Sequence, residues 1–393
     1  MNSRERVAIA MNLGEPDRVP VFCQLSIGHY FVSSGGVPLD IWFRSQGFAQ
    51  ALVELQRRYG FDGILINLPG RDPDFEKYID RLEEGVGATT VHWKNGGFTR
   101  VPHDDNPHYY TPGGKRYFPS FVDLDPEDLW YVEPWDITGI TYPYTWSFES
   151  EPRPFADFFP SYHLDTIREV KRLVGAEVSL HSEIFSPFSQ FLELLDYENA
   201  LMALLDDPGK THACLQRLTQ GAIQLAERQA AAGVDAILIS SAFAGGGLIS
   251  REHYTEFVLP YERRVVTETK TRHPEVKVYT HTCGAIGDRL DLMLGTSTEG
   301  IDTLDPPPLG TVELEAAVPQ LKGRAFIKGN IDAVNTLLYG DEEKVRQAVV
   351  HRLEVAKPGG GYILSTACSV PPAVRPELLE YMSGLVAELG AYG

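Results

Sequence analysis

The sequence predicts a (β/α)8 TIM barrel carrying an aromatic-rich insertion on its rim, and three observations support that expectation. Eight short runs rich in apolar and β-branched residues recur along the chain. Stretches of helical periodicity separate most of them. The length, 393 residues, suits one elaborated barrel domain over 1–393 with an insertion at about 85–159.

The runs are Arg18 to Phe22, Gly63 to Asn67, Val178 to Glu183, Ala236 to Ser240, Val276 to His281, Ile301 to Leu304, Ala325 to Lys328 and Tyr362 to Ser365. Short apolar runs bounded by turn signals read as strands buried on both faces. An amphipathic helix is expected at Ser3 to Met11. Asp341 to Val355 opens with an acidic first turn, Glu313 to Val318 is a short helix that Pro319 would end, and Arg375 to Leu389 is the last helical stretch. Buried strands alternating with helices make a closed or doubly wound α/β sheet, and eight of them favour the barrel.

The rhythm breaks between about Gly85 and Phe159, where aromatic residues, Pro and Gly crowd together at His108 to Tyr110, Lys115 to Phe118 and Pro143 to Phe148. Turn signals at Asn95 to Gly97 and Pro112 to Gly114 suggest hairpins on the barrel rim. This insertion reads as a cap with its own aromatic core or as a wall of a substrate pocket.

Composition excludes several roles. Hydrophobic residues make up 43% and charged residues 23% of the chain, and no apolar run approaches the roughly 18 residues that cross a bilayer. The first residues lack the apolar stretch and cleavage site of a secretory signal, so a cytoplasmic protein without a membrane partner is expected. A net charge of −19, from 54 acids against 35 bases, repels polyanions and argues against nucleic acid. Four cysteines, Cys23, Cys214, Cys283 and Cys368, do not make a disulfide framework in a chain this long; each is a buried apolar group or a metal ligand.

The candidate chemistry gathers at predicted strand ends. His281 and Cys283 follow the strand Lys277 to Thr280, at the carboxyl end where a barrel places its active site. Residues i and i+2 of an extended chain project to one face with Cα atoms roughly 6 to 7 Å apart, so an imidazole and a thiolate can converge on one ion. Cys368 follows the last predicted strand. One His and two Cys form a zinc set with an open fourth position, although each cysteine can equally be a small buried hydrophobe. Glu183, in the polar cluster His181 to Glu183, could fill that position, grip substrate or form a strand-end ion pair. Asp302 or Asp305 could orient His281 through its second ring nitrogen. Asn330 could present its amide to a ligand, with Asp332 capping the next helix. Gly245 to Gly247 lacks the spacing of a phosphate-binding loop and reads as rim. Cys214 and Cys23 read as core.

Together these residues resemble the uroporphyrinogen decarboxylase superfamily, and within it the zinc-dependent, corrinoid-linked branch of coenzyme M methyltransferase type. The likeness spans nearly the whole chain: Pro16 to Pro20 is similar to the family's opening, His281 to Gly284 to its metal motif, Gly329 to Asp332 followed by Leu337 to Val345 to its seventh strand and helix, and Ala367 to Pro372 to the segment bearing the last cysteine. Where porphyrinogen decarboxylases carry an arginine-rich segment, this chain has Cys23 to His29. Asp62 stands one residue early for their catalytic aspartate, an offset that turns a strand side chain to the other face. The branch implies zinc on His281, Cys283 and Cys368, and the strand-end reading makes Glu183 and Asn330 the expected catalytic residues beside it. It implies methyl transfer between a methylcorrinoid on a separate protein and a small thiol or other methylated substrate. A metal-free decarboxylase and a non-catalytic barrel that binds a corrinoid protein are the alternatives.

Overall fold

The computed structural model describes residues 1–113, 118–133 and 153–393. The first regular strand, β1 (Gly63–Ile66), follows the helix Ser45–Tyr59, which ends on Gly60 at a left-handed φ of 64°. Four antiparallel strands come next: β2 (Ile79–Gly85), β3 (Ala88–Trp93), β4 (Phe98–Pro102) and β5 (His108–Tyr110). The chain then alternates helices with β6 (Ser179–Phe185), β7 (Ala236–Ser240), β8 (Lys277–His281), β9 (Gly300–Thr303), β10 (Phe326–Ile331) and β11 (Tyr362–Thr366). These six pair in parallel with β1, in the order β1-β6-β7-β8-β9-β10-β11. Between β6 and β7 lies a 25-residue helix, Pro208–Ala232, started by Pro208 and by the Asp207 side chain accepting from Lys210 N.

The expected closed eight-stranded barrel does not form. Among the described residues the parallel sheet has seven regular strands and is open and curled, with edges β1 and β11 that do not pair with each other. Arg18 to Phe22, expected as the first strand, lies across this gap without joining a ladder. It makes isolated pairings, Val21 with Leu364 and, further on, Leu25 with Val370, while Val21 O accepts from Asp62 N at 2.7 Å. The physical cause is local. Pro20 has no N–H to give, and the Val21 N–H is taken by the Asp62 carboxylate at 2.9 Å rather than by a neighbouring strand.

Inside the curl, Phe22, Leu65, Ala236, Leu238, Tyr279, Phe326 and Ile363 pack together, and the helix Ser3–Met11 adds Val7, Ala10 and Met11 to the same cluster. This helix plugs the amino-terminal end of the sheet. Arg4 meets Asp235 just before β7, and Ser3 and Arg6 meet Asp62 just before β1. Asp62 is fully buried and accepts from Arg6, Arg18, Ser3 and the Val21 amide. It thus sits at the opposite end of the sheet from the strand-end residues of interest.

The Asn95 to Gly97 turn does join two antiparallel strands, and the four-stranded sheet starts at Ile79, earlier than the insertion expected from about Gly85. Part of the Pro112 to Gly114 turn, most of Lys115 to Phe118 and all of Pro143 to Phe148 lie outside the described residues. Pro319 does not end its helix, which runs Leu314–Leu321. No helix among the described residues is long and apolar enough to cross a membrane.

Candidate metal centre and active site

Three adjacent strands set one row of side chains. His281 on β8 registers with Asp302 on β9, and Asp302 with Lys328 on β10. Neighbouring register positions share a face, and the three groups bond in sequence. His281 Nδ1 lies 3.1 Å from Asp302 Oδ2, and Lys328 Nζ donates to Asp302 Oδ1 at 3.0 Å. Burial works against the charge on Asp302, but Lys328 and His281 outweigh it and hold the carboxyl below its ordinary value. The carboxylate therefore takes the Nδ1–H, which leaves His281 Nε2 turned toward the cysteines, 3.2 Å from Cys283 Sγ.

Cys283 lies two residues beyond His281, and Cys368 two residues beyond the end of β11. The sulfurs are 3.7 Å apart, and the ligand atoms of His281, Cys283 and Cys368 all fall within 4.8 Å of one another. The hydrogen bond from Cys283, opposed by burial and helped by His281, pushes Cys368 down to about 4. Cys283, the proton donor, is pushed up for the same reason. Burial disfavours the imidazolium of His281, yet Asp302 and Cys368 hold its pKa up at about 10. This trio is a cluster able to coordinate a metal ion, and its one-nitrogen, two-sulfur donor set fits zinc.

Around it the backbone is forced. Thr303 and Leu304 hold positive φ values of 75° and 57°, a conformation that costs of order 1–3 kcal/mol for such residues. Thr303 Oγ1 donates to Thr282 O at 2.6 Å, and Asn330 Nδ2 to Leu304 O at 2.8 Å. The bend lets Asp305 Oδ2 accept from Gly284 N at 2.6 Å, fixing the turn that carries Cys283. Asn330 is buried, and its amide oxygen also accepts from Arg352 at 3.2 Å, so both ends of its amide have protein partners. Asp332 caps the next helical turn through the Val334 and Asn335 amides.

Glu183, at the carboxyl end of β6, is on the trio's side of the sheet and feels the charge of His281. Burial raises its carboxyl to about 7, while His281 and a hydrogen bond with Ser240 pull the other way. His181, two residues earlier, is buried with Nδ1 2.9 Å from Tyr279 Oη and Nε2 3.1 Å from Ser179 Oγ. Burial lowers its pKa to about 3, so it is a neutral part of the interior. Beside Glu183 the ends of β1 and β6 line a small cavity with Asn67, Glu133, His163 and Gln229. Sequence reasoning passed over Lys328, Asn67 and the Glu133–His163 pair. Lys328 had a usable signal, a lone cation inside the apolar run of β10, whereas Glu133 and His163 come together only through folding.

The family model for uroporphyrinogen decarboxylase (URO-D) matches residues 150–389, more than half of the chain, and the chain belongs to that family. Uroporphyrinogen decarboxylase of Alkalilimnicola ehrlichii is 28% identical over 58% of this chain and 62% of its own length. That of Saccharopolyspora erythraea is 30% identical over 49% of this chain and 52% of its own. The chain thus spans about three fifths or less of these relatives. A methyltransferase from Methanosarcina mazei superposes with a TM-score of 0.69 over 99% of both chains, at 17% identity; at that identity the likeness shows the fold alone.

These findings correct the expected branch. The matched relatives are decarboxylases by name, and nothing beyond shared fold ties the chain to methyl transfer, so the reading as a zinc-dependent corrinoid-linked methyltransferase is withdrawn. Its corrinoid protein and small thiol rest on that branch alone. The physical reason is that a His-x-Cys pair and a distant Cys at strand ends specify a metal-capable cluster, not the bond that is broken beside it.

Proposed function

We propose that this chain is a zinc-assisted decarboxylase of the URO-D family, acting on a carboxylic acid held at the carboxyl ends of the curled sheet. The observation that carries the reading is the convergence of three ligand atoms within 4.8 Å on the same side of the sheet as an acid, Glu183, that burial keeps protonated up to about 7. The family's named activity supplies the reaction class.

When bound, zinc supplies Lewis acidity that stabilises negative charge developing on the substrate. His281, Cys283 and Cys368 hold it, with Asp302 and Lys328 fixing the His281 ring. In a decarboxylation the electrons of the broken carbon–carbon bond stay on the substrate, carbon dioxide leaves, and a proton must reach the carbon left behind. Glu183 holds that proton on its carboxyl and recovers one from water afterwards. Asn330 positions the loop through Leu304 O.

The substrate proposed is smaller than a porphyrinogen. Cys23 to His29 contains no arginine, Cys23 is buried, and His29 is bound by Tyr59 Oη at 2.7 Å and Pro371 O at 3.2 Å. Asp62 is spent on Arg6 and Arg18 at the other end.

The test is elemental analysis together with carbon dioxide release from a panel of carboxylic acids, comparing wild type, Cys368→Ser and Glu183→Gln. Zinc near one per chain, lost in C368S, and release that falls by about 10²–10⁴-fold in E183Q are expected. Zinc retained in C368S, or turnover indifferent to both substitutions, would sink the proposal.

A further inference from the structure

The cavity beside Glu183 has a chemistry of its own. It is small, about 20 Å³, enough for a single water-sized group, and is walled by Ile66 and Phe185 with Asn67, Glu133 and Glu183 among its polar lining. Glu133 is 4% exposed. Its Oε1 accepts from His163 Nε2 at 3.0 Å, but its Oε2 is buried with no hydrogen-bond partner among the described residues, and so is Asn67 Oδ1. Buried acceptors without donors are costly and uncommon, on the order of 1–3 kcal/mol each. Glu133 also interacts with the charge of buried Arg71, but its Oε2 still lacks a hydrogen-bond donor.

We infer that this cavity is the recognition subsite for a primary ammonium group of the substrate, its three N–H donors meeting Asn67 Oδ1, Glu133 Oε2 and a carboxyl oxygen of Glu183. An ammonium is water-sized, supplies only donors, and forms the stronger charge-assisted hydrogen bond with a carboxylate. The inference rests on the decarboxylase reading for the rest of the substrate, which then carries both a carboxylate and an amine. Glu183 joins the two halves of the site, since it lines the cavity and feels the charge of His281.

The experiment uses methylammonium, which probes the subsite without requiring turnover. Crystals of the full chain soaked in methylammonium chloride are compared with crystals soaked in methanol and in sodium chloride, and binding in solution is titrated by NMR. Expected is methylammonium density whose nitrogen contacts Asn67 and Glu133, affinity about tenfold weaker in Glu133→Gln, and tighter binding in Asn67→Asp, where a second charge is added. Water alone in every soak, methanol seated equally well, or equal affinity in wild type and both variants would overturn it. Methylammonium bound as expected with no carbon dioxide released from any amino-substituted acid would retain the subsite and defeat the decarboxylase reading alone.

Discussion

At the residue scale the trio is assembled with protons still on it. His281 keeps its proton up to about 10, and Cys283 keeps the one it shares with Cys368. A metal ion must displace both, so zinc affinity should rise with pH, and calorimetry in buffers of different ionisation heat should register proton release. Affinity that is flat with pH would mean that these groups are not the ligands. The sign for stability is opposite. Because the folded pKa of His281 lies above its ordinary 6.5, its contribution to the metal-free protein is whole below about 6.5 and is lost as pH rises through about 10. Turnover should likewise fall as pH rises past about 7, where Glu183 loses the proton it donates, and the pH profile of E183Q should lack that limb. Asp302→Asn should weaken zinc about 10–100-fold. Lys328→Met, which strands the buried Asp302 charge, should cost about 3–5 kcal/mol in denaturant unfolding.

At the scale of elements, position depends on close approaches that side chains permit or forbid. Gly221 in the helix Pro208–Ala232 lies under the Trp130 carbonyl, and an added Cβ would stand 1.9 Å from that oxygen. Gly221→Ala should therefore push the Trp130 to Glu133 strap off the helix, lowering Tm and, through Glu133, weakening methylammonium binding; an unchanged Tm would show that the strap adapts. Asn330→Ala should destabilise by about 1–3 kcal/mol, because it frees the Leu304 carbonyl that the forced backbone turns inward. Elements of this kind divide into those legible in sequence and those not. Seven of the eight expected strands form within a few residues of their apolar runs, because a buried parallel strand needs little beyond apolar, β-branched length. The eighth fails at Pro20 and Val21, where a missing N–H and a side-chain acceptor matter more than hydrophobicity. The trio could be suspected from His281 and Cys283 two residues apart. The salt-bridged row behind it depends on register between strands, and the polar cavity on a strap whose neighbours in space lie 30 or more residues away in sequence, and neither has a local signature.

At the scale of the whole molecule, the amino-terminal helix and the sheet are tied together by one buried carboxylate. Asp62→Ala should release Arg6 and Arg18 together and destabilise the fold by about 3–5 kcal/mol, while its distance from the trio predicts unchanged zinc stoichiometry at temperatures where the variant stays folded. Loss of metal in that folded variant would reveal coupling between the two ends.

The gap between β1 and β11 carries a temporal meaning as well. Val21 and Leu364 meet across it by isolated pairings only, so bringing them together pays the loop-closure cost of nearly the whole chain for few backbone bonds. Cys368 emerges from the strand that borders this gap, whereas His281 and Cys283 belong to the middle of the sheet. The site should thus be among the last things to appear on refolding. Pulsed thiol labelling should find Cys368 reactive after far-UV circular dichroism has largely recovered, with Cys214, inside its helix, already protected. Simultaneous protection of both cysteines would mean that the two edges close as early as the helices pack.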